Sequence, residues 1–276
     1  MKPRPFDYVR PDTVDEAVAL LAEHGDEARI LAGGQSLMAM MNLRLADPGM
    51  LIDIARIAEL SHIRDLGDRI EVGAAVTQNR LLAWPDLAKK LPLLAAALPF
   101  VGHFQTRNKG TVCGSIAHAD PSSEIPLSLA TLGGEVVLRS KRGDRVVVAD
   151  EFQTGMLSTA READEMMIAA RFPTADNLKR VAFREVARRH GDFAILALAA
   201  VAESDTSVRL GIGGLADRPI ATRIDTSSKG AIADALGTLA WELEGSDDIH
   251  ATARYRRDLL RRLGPIVIEE AIACAA

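Results

Sequence analysis

The first stretch that could do chemistry is a pair of adjacent glycines in the hexapeptide AGGQSL, residues 32–37. Glycines allow backbone N–H groups to converge on a small anion, and a serine that opens the next helix adds a capping hydroxyl and the positive end of the helix dipole. The hexapeptide lacks both the Gly-Lys-Ser/Thr of a P-loop and the spacing of a Rossmann fingerprint. On its own it therefore indicates either a tight turn or a cradle for a phosphate.

A second polar stretch, RNKGTVCGSIAHADPSSEIP at residues 107–126, combines hydroxyl, amide, imidazole and carboxylate groups with two glycines. Ser115, His118 and Asp120 could form a hydrolase triad, but the Gly-x-Ser-x-Gly elbow of such enzymes is absent from this stretch. His118 and Asp120 could ligate a metal, although a third ligand is missing from the pattern. The remaining interpretations are a solvated loop and a second clamp on a ligand that AGGQSL also holds.

A third stretch, FREVARRHGDFAIL at residues 183–196, places three cations before an aromatic ring. Its cations are Arg184, Arg188 and Arg189. They are typical of a solvated strand or turn, and could equally face an anionic ligand. Phe193 follows a Gly-Asp pair and serves either as a core anchor or as a flat wall for a planar ring.

Composition excludes several classes of function. The 276 residues carry 33 Lys+Arg against 38 Asp+Glu, a net charge of −5, which argues against a nucleic-acid surface. Apolar runs are about half of the ~20 residues that a membrane-spanning helix needs, and the first residues lack the apolar core of a signal peptide. We therefore expect a cytoplasmic protein without a transmembrane segment and without a nucleic-acid partner.

The two cysteines, Cys113 and Cys274, are far apart in the sequence. They do not suggest a disulfide framework. An iron–sulfur cluster normally takes four thiolates and a structural zinc takes four Cys/His ligands at characteristic spacings, so the pattern predicts no metal site. Any redox chemistry must rest on an organic cofactor or on another chain.

Strands and helices must position these stretches. The predicted strands alternate with helices near the N-terminus, and the later strands are predicted to pair in antiparallel fashion. Residues 6–9, 28–31 and 50–54 predict strands separated by a helix over 13–25 and another after Ser36, which indicates a small α/β unit. Further on, the predicted strands are 69–77, a hairpin over 135–148 and 165–173, with helical residues 85–102. Beyond the polar residues 173–177, a hairpin over 193–203 and 207–216 precedes three helical stretches near 228–244, 247–263 and 265–275.

Taken together, these stretches resemble the FAD-binding medium subunit of the molybdenum hydroxylases, a group that includes carbon monoxide dehydrogenase, N-heterocycle dehydrogenases and the flavin domain of xanthine dehydrogenase. The resemblance rests on residues 6–21, 30–48, 101–126, 164–167 and 184–195, and the order and spacing of the two Gly-containing loops are specific. It implies an α+β fold. An FAD-binding domain over 1–175, with subdomains of about 1–55 and 56–175, precedes a C-terminal domain over 176–276 with a small antiparallel sheet and a three-helix bundle.

The resemblance also implies which residues contact the cofactor, and it implies no catalytic residue and no metal ligand in this chain. The FAD diphosphate and ribityl chain lie between two loops, here Ala32, Gly33, Gly34, Gln35 and Ser36, and Thr111, Val112, Cys113, Gly114 and Ser115. Further implied contacts are Asp120, Glu124, the main chain of Arg161, the basic Arg184 and the ring-side Phe193. Cys113 stands where the family usually has glycine, Arg161 where leucine is usual, and Glu185 where close relatives often carry lysine.

The implied function is that of a flavin electron-transfer subunit of a heterotrimeric molybdenum hydroxylase, an oxidoreductase. Its partners would be a large molybdopterin subunit and a small subunit with two 2Fe–2S clusters, with two heterotrimers forming a dimer. Electrons would pass from the clusters to FAD and on to an external acceptor. Two alternatives are a self-sufficient flavin oxidoreductase that acts directly on a small substrate, and a nucleotide-binding scaffold subunit without redox chemistry.

Overall fold

The chain begins with a small parallel sheet, seen in a computed structural model that describes residues 2–174 and 180–273. Its strands pair in the order β1-β3-β2, and two helices connect them. The elements are β1 (Asp7–Val9), α1 (Val14–His24), β2 (Ala28–Leu31), α2 (Leu37–Asn42) and β3 (Met50–Asp53). Helix α1 starts where the Thr13 hydroxyl accepts a hydrogen bond from the backbone N–H of Glu16, 3.2 Å away, and ends at Gly25 with φ of +51°. The alternating pattern of the sequence is thus realised as a parallel α/β unit.

The middle of the chain is built on a five-stranded antiparallel sheet in the order β4-β5-β10-β6-β7. Its strands are β4 (Ile63–Asp65), β5 (Arg69–Gly73), β6 (Glu135–Ser140), β7 (Gly143–Val148) and β10 (Met166–Pro173), and a two-stranded sheet pairs β8 (Gln153–Gly155) with β9 (Ser158–Thr159). The helices are α3 (Gln78–Leu82), α4 (Leu87–Lys90), α5 (Pro92–Ala97), α6 (Phe104–Arg107), α7 (Val112–His118), α8 (Glu124–Leu132) and α9 (Ala149–Phe152).

Two predicted elements of this region are shorter than expected. The strand predicted over 69–77 ends at Gly73, where the chain runs so close to its neighbour that a Cβ would lie 2.2 Å from the carbonyl oxygen of Leu60. The helical stretch over 85–102 is divided into α4, α5 and a short 3-10 turn over Leu98–Phe100. Pro92 begins α5, because proline has no N–H to donate and fits the first turn of a helix better than its interior.

The C-terminal part is a four-stranded antiparallel sheet covered by two helices. The strands pair in sequence order, and the elements are β11 (Val181–Val186), β12 (Leu196–Ser204), β13 (Ser207–Gly213), β14 (Ile220–Asp225), α10 (Lys229–Glu242) and α11 (Ala253–Ala273). The α+β class is confirmed, but the three-helix bundle is wrong for the described residues. The second and third predicted helices are one helix with Pro265 inside it, because Val267, Ile268 and Ala271 continue its buried face past the proline.

Helix α8 joins the two halves of the molecule. All nine of its residues are buried, and it packs against β12, β13 and β14 on one side and against α5, α7 and β10 on the other. It ends at Gly133, whose φ of +68° is a left-handed conformation that glycine adopts readily. The predicted boundary near residue 175 falls at residues 175–179, outside the described residues.

Candidate functional site

A cleft of about 850 Å³ lies where the N-terminal unit, the middle sheet and the loop before β12 meet. This volume is within the range of sites that bind cofactors and drug-sized ligands. Its walls include the β2–α2 loop, the start of α7, the start of α8, the β9–β10 connection and residues 191–193. The site is therefore assembled from segments that are distant in the sequence.

The two Gly-containing loops are in direct contact at this cleft. A Cβ on Gly33 would lie 2.2 Å from the carbonyl oxygen of Lys109 and 2.7 Å from the Cα of Gly110, so only glycine fits between the loops. Gly34 adopts φ of +69°, which glycine tolerates without strain. Ser36 occupies the N-cap position of α2, but its hydroxyl makes no capping hydrogen bond. Both glycines of AGGQSL are thus required by the geometry of the loop.

The second loop is organised by Thr111, the N-cap of α7. Its hydroxyl accepts a hydrogen bond from the backbone N–H of Gly114 at 2.9 Å. Gly114 faces the first loop, because a Cβ there would lie 3.9 Å from the Cβ of Ala32. Residues Thr111, Cys113, Gly114 and Ser115 line the cleft, whereas Val112 is fully buried in the core and does not.

Cys113 presents little reactive surface to the cleft. Its side chain is buried, and its thiol donates to the carbonyl oxygen of Val72 on β5, with Sγ and oxygen 3.4 Å apart. Burial raises the pKa of the Cys113 thiol well above its usual range. The residue that replaces the usual glycine is therefore a neutral, packed thiol rather than a nucleophile.

Glu124 brings a buried carboxyl group to the cleft wall. It is 7% exposed at the start of α8, and burial raises its pKa to about 7. The pKa of a second acid, Glu185 on β11, is raised to about 8, first by burial and then by the charge of Glu124. Asp120 does not line the cleft; its Oδ1 accepts a hydrogen bond from the backbone N–H of Ser122 at 2.8 Å.

Arg161 and Phe193 also reach the cleft. The Arg161 guanidinium donates to the backbone oxygens of Glu162 and Glu165, at 2.8 and 2.9 Å, and burial lowers its pKa. Phe193 is 60% exposed, so it is not a core anchor. Gly191 fixes the turn before it, because its φ is +83° and a Cβ would lie 2.8 Å from the carbonyl oxygen of Gly102.

Arg184 is not brought to the cleft. Arg184 lies on β11, and its side chain faces α11, which carries Glu270. The Nε of Arg184 donates a hydrogen bond to Glu270 at 2.9 Å, and this exposed ion pair balances the charge of the guanidinium group. The neighbouring Glu185, which stands where close relatives often carry lysine, does not line the cleft either.

Sequence reasoning missed Gln78 as a residue of the cleft. Gln78 is buried, and its Oε1 has no hydrogen-bond partner among the described residues. A buried polar atom of this kind fits a cleft that holds a polar cofactor. Other unpredicted lining residues include Arg29, Met40, Leu157, Thr159 and Asp192. Nothing in their sequence spacing singles them out, because their grouping arises only from the fold.

The hydrolase and metal interpretations of residues 107–126 gain no support from the geometry. Ser115 and His118 line the cleft but Asp120 does not, and burial lowers the pKa of His118. Within residues 2–174 and 180–273, no group of three or more His, Cys, Asp or Glu side chains could hold a metal ion. In the same ranges, no helix is both long and apolar enough to cross a membrane.

The fold and the cleft define a two-part cofactor-binding protein, and comparison with known proteins gives its family. Residues 4–175 match the family described as the FAD binding domain in molybdopterin dehydrogenase, and residues 181–271 match the CO dehydrogenase flavoprotein C-terminal domain. The chain belongs to the FAD-binding medium subunits of the molybdenum hydroxylases, which are oxidoreductase subunits with FAD as cofactor. The resemblance inferred from the motifs is confirmed.

Individual relatives cover most of the chain. It is 35% identical to the nicotine 6-hydroxylase medium subunit of Paenarthrobacter nicotinovorans over 96% of each chain. It is 42% identical to the caffeine dehydrogenase subunit beta of Pseudomonas sp. strain CBB1, over 70% of this chain and 66% of that one. A structure of carbon monoxide dehydrogenase from Hydrogenophaga pseudoflava superposes with a TM-score of 0.92 at 32% identity, with all of both chains covered.

Proposed function

We propose that the cleft holds FAD and that the chain passes electrons through it, from the 2Fe–2S clusters of a partner subunit to an external acceptor. The observation that carries the proposal is the interlocking of the two loops at Gly33 and Lys109, which makes a single cleft from segments some eighty residues apart. All predicted contact residues except Val112, Asp120 and Arg184 line that cleft.

Each wall of the cleft has a proposed role toward the cofactor. The backbone N–H groups of residues 32–36 and 111–115 are suited to a diphosphate, because glycines let them approach an anion closely. Glu124 and the orphan Oε1 of Gln78 are suited to hydroxyl groups of the ribityl chain or ribose. Phe193 offers an exposed apolar face to the ring system, and the main chain near Arg161 offers polar contacts.

FAD, when bound, accepts electrons singly or in pairs and so can connect one-electron clusters to a two-electron acceptor. Two cysteines in the sequence cannot supply the four thiolates that one cluster requires. We therefore place the clusters in a small partner subunit and the molybdopterin centre in a large one, with two such heterotrimers forming a dimer in the cytoplasm. The substrate of the complex is then selected in the large subunit rather than in this chain.

The proposed division into an FAD-binding domain over 1–175, with subdomains of about 1–55 and 56–175, and a C-terminal domain over 176–276 agrees with this assignment. Two family matches, over 4–175 and 181–271, support it. The loop between β11 and β12 supplies Gly191, Asp192 and Phe193 to the cleft, so the second domain would complete the cleft that the first one opens.

A single added methyl group tests the location of FAD. Gly33→Ala places a Cβ 2.2 Å from the carbonyl oxygen of Lys109, so the loops must separate, and we expect FAD occupancy of the purified full chain to fall about tenfold or more. The measurement is the ratio of flavin to protein absorbance. Gly237→Ala is the matched control, because a Cβ there meets no atom within 4 Å. Full occupancy in Gly33→Ala would contradict the proposed cleft.

Rapid-mixing reduction of the flavin tests the electron-transfer role. We expect candidate organic substrates to leave the flavin of the isolated chain oxidised, and to reduce it once the cluster-bearing and molybdopterin subunits are added. Direct reduction of the isolated chain would instead favour the self-sufficient oxidoreductase. A chain that neither contains FAD nor takes it up would favour the scaffold subunit.

A further inference from the structure

The tip of the hairpin formed by β8 and β9 holds a leucine in a backbone conformation that leucine rarely adopts. Gly155 of β8 pairs with Ser158 of β9, so the turn between the strands consists of Met156 and Leu157. Leu157 has φ of +55°, in the left-handed region. A Cβ comes too close to the following carbonyl oxygen in this conformation, and turns that require it usually have Gly or Asn at this position. The hairpin tip therefore carries backbone strain.

The strained leucine does not serve the hydrophobic core. Leu157 is 50% exposed, and it belongs to neither of the two clusters of buried apolar side chains among the described residues. Its backbone N–H donates to the carbonyl oxygen of Ala119 at 2.9 Å, a hydrogen bond that any residue except proline provides. The fold at this point thus requires the left-handed backbone but not the leucine side chain.

The hairpin is fixed at both of its ends. At the tip, Leu157 is bonded to Ala119, which caps the C-terminal end of α7, the helix that begins in the second Gly-containing loop. At the base, the guanidinium of Arg218 donates to the backbone oxygens of Asp150 and Gln153, at 3.2 and 3.0 Å. The position of the tip relative to the second loop is therefore set by hydrogen bonds that do not involve the Leu157 side chain.

The side chain at this tip is part of the cleft wall. Leu157 lines the cleft, whereas Met156, its neighbour in the same turn and 60% exposed, does not. A half-exposed isobutyl group loses contact with water only when an apolar surface packs against it, and the flat face of an aromatic ring is such a surface. Strained residues persist at ligand sites because the strained backbone places a side chain where the ligand needs it.

We propose that Leu157 packs against a ring system of FAD, and that the left-handed backbone at the hairpin tip is retained because it directs this side chain into the cleft. The assignment rests on the proposed location of FAD in that cleft. It adds a contact residue that the Gly-containing motifs do not reveal. It also gives one side chain two opposite effects, a cost to the stability of the flavin-free chain and a gain in affinity for the cofactor.

Titration of the full chain with FAD, followed by flavin fluorescence, tests the contact in two variants of Leu157. Asparagine tolerates the left-handed conformation and removes the apolar surface, whereas methionine keeps an apolar side chain of similar volume. We expect the affinity for FAD to fall about tenfold in Leu157→Asn and by less than about twofold in Leu157→Met. Normal affinity in Leu157→Asn would overturn the proposal.

Met156→Asn is the matched control, because Met156 lies in the same turn, is at least as exposed and does not line the cleft. It should bind FAD like the unmodified chain. A loss in Met156→Asn as large as that in Leu157→Asn would show that any change in the turn disturbs the cleft, and would also overturn the contact.

Separate titrations with riboflavin and with ADP distinguish the two ring systems of FAD. We expect Leu157→Asn to weaken the binding of one of these compounds about tenfold and to leave the other within about twofold. A loss with riboflavin assigns the contact to the isoalloxazine ring, and a loss with ADP assigns it to adenine. Unchanged binding of both compounds, or equal losses for both, would contradict a contact between Leu157 and one ring.

Urea unfolding of the flavin-free chain tests the strain without FAD. We expect the urea midpoint of Leu157→Asn to equal or exceed that of the unmodified chain, since the substitution relieves strain and removes little buried surface. Glu244→Asn is the control for strain relief, because Glu244 has φ of +52° outside the cleft, and it should leave FAD affinity unchanged. A clear fall of the midpoint in Leu157→Asn would show that the leucine supports the fold, and would overturn the proposal.

Gly33→Ala separates failure of this contact from failure of the proposed function. Loss of FAD in Gly33→Ala together with normal affinity in Leu157→Asn would overturn the Leu157 contact alone. Normal FAD retention by both variants would instead count against the location of FAD in the cleft.

Discussion

Arg256 is the buried cation that holds the end of the cleft loop in place. It is 3% exposed on α11, and its guanidinium donates to the backbone oxygens of Ile195 and Gly214 at 2.6 and 2.7 Å and to Asp248 at 2.5 Å. Because Ile195 lies two residues after Phe193, Arg256 fixes the position at which this ring meets the cleft. A helix of the C-terminal part thus contributes to the site without lining it.

Replacing Arg256 by methionine leaves these backbone oxygens buried without their donor. We expect Arg256→Met to lower the free energy of unfolding by about 3 kcal/mol, since removing one partner of a buried charged hydrogen bond costs the desolvation of the groups left behind. Urea unfolding measures this change. Arg254→Met on the same helix is the control, because the Arg254 side chain is 87% exposed and its distance to Asp258 is 4.0 Å. Equal stability of the two variants would contradict the role of Arg256.

At the scale of the elements, α8 depends on a glycine of the sheet beneath it. A Cβ on Gly211 of β13 would lie 1.9 Å from Oγ1 of Thr131, whose hydroxyl already donates to the backbone oxygen of Leu127 at 2.7 Å. We expect Gly211→Ala to cost about 2 kcal/mol of stability through overpacking, and to weaken FAD binding because α8 carries Glu124 at its first residue. Thermal unfolding and flavin titration measure the two effects. Gly230→Ala is the control, because its Cβ would make only a 3.8 Å contact with Oγ of Ser228, and it should change neither stability nor FAD binding. A Gly211→Ala variant that is as stable as the unmodified chain and fully occupied by FAD would refute this dependence.

The sequence predicts elements better than it predicts which faces meet. Alternation of short apolar runs and glycines is a local property, so β2, α2 and the hairpin of β6 and β7 could be predicted from it. The faces of β11 could not, because packing of this strand against α11 brings Arg184 to Glu270 rather than to the cleft. Pro265 misled the helix prediction, since burial of the residues after it outweighs its local preference.

At the scale of the whole molecule, two sets of carboxyl groups give the stability of the chain opposite dependences on pH. Glu165 is buried, and ion pairing with Arg145, whose nitrogens lie 2.6 and 2.9 Å away, lowers its pKa. A lowered pKa contributes stability that is present above the ordinary value of 4.5 and is lost as the pH falls through the folded-state value. Arginine pairing lowers the pKa of Glu71, Asp144, Glu203 and Glu270 in the same direction, although burial opposes it at each of them.

Glu124 and Glu185 have raised pKa values of about 7 and 8, so the stability that they contribute is complete below about 4.5 and is lost as the pH rises through 7 and 8. The flavin-free chain is therefore expected to be most stable near about pH 5 to 6, and to lose stability on both sides. The urea midpoint measured across this range tests the expectation. Glu185→Gln should flatten the alkaline side only, and Glu165→Gln should lower stability at neutral pH while weakening the acid dependence. A midpoint that rises steadily from pH 6 to about 9 would show that the buried carboxyl pair does not hold its proton in the folded chain.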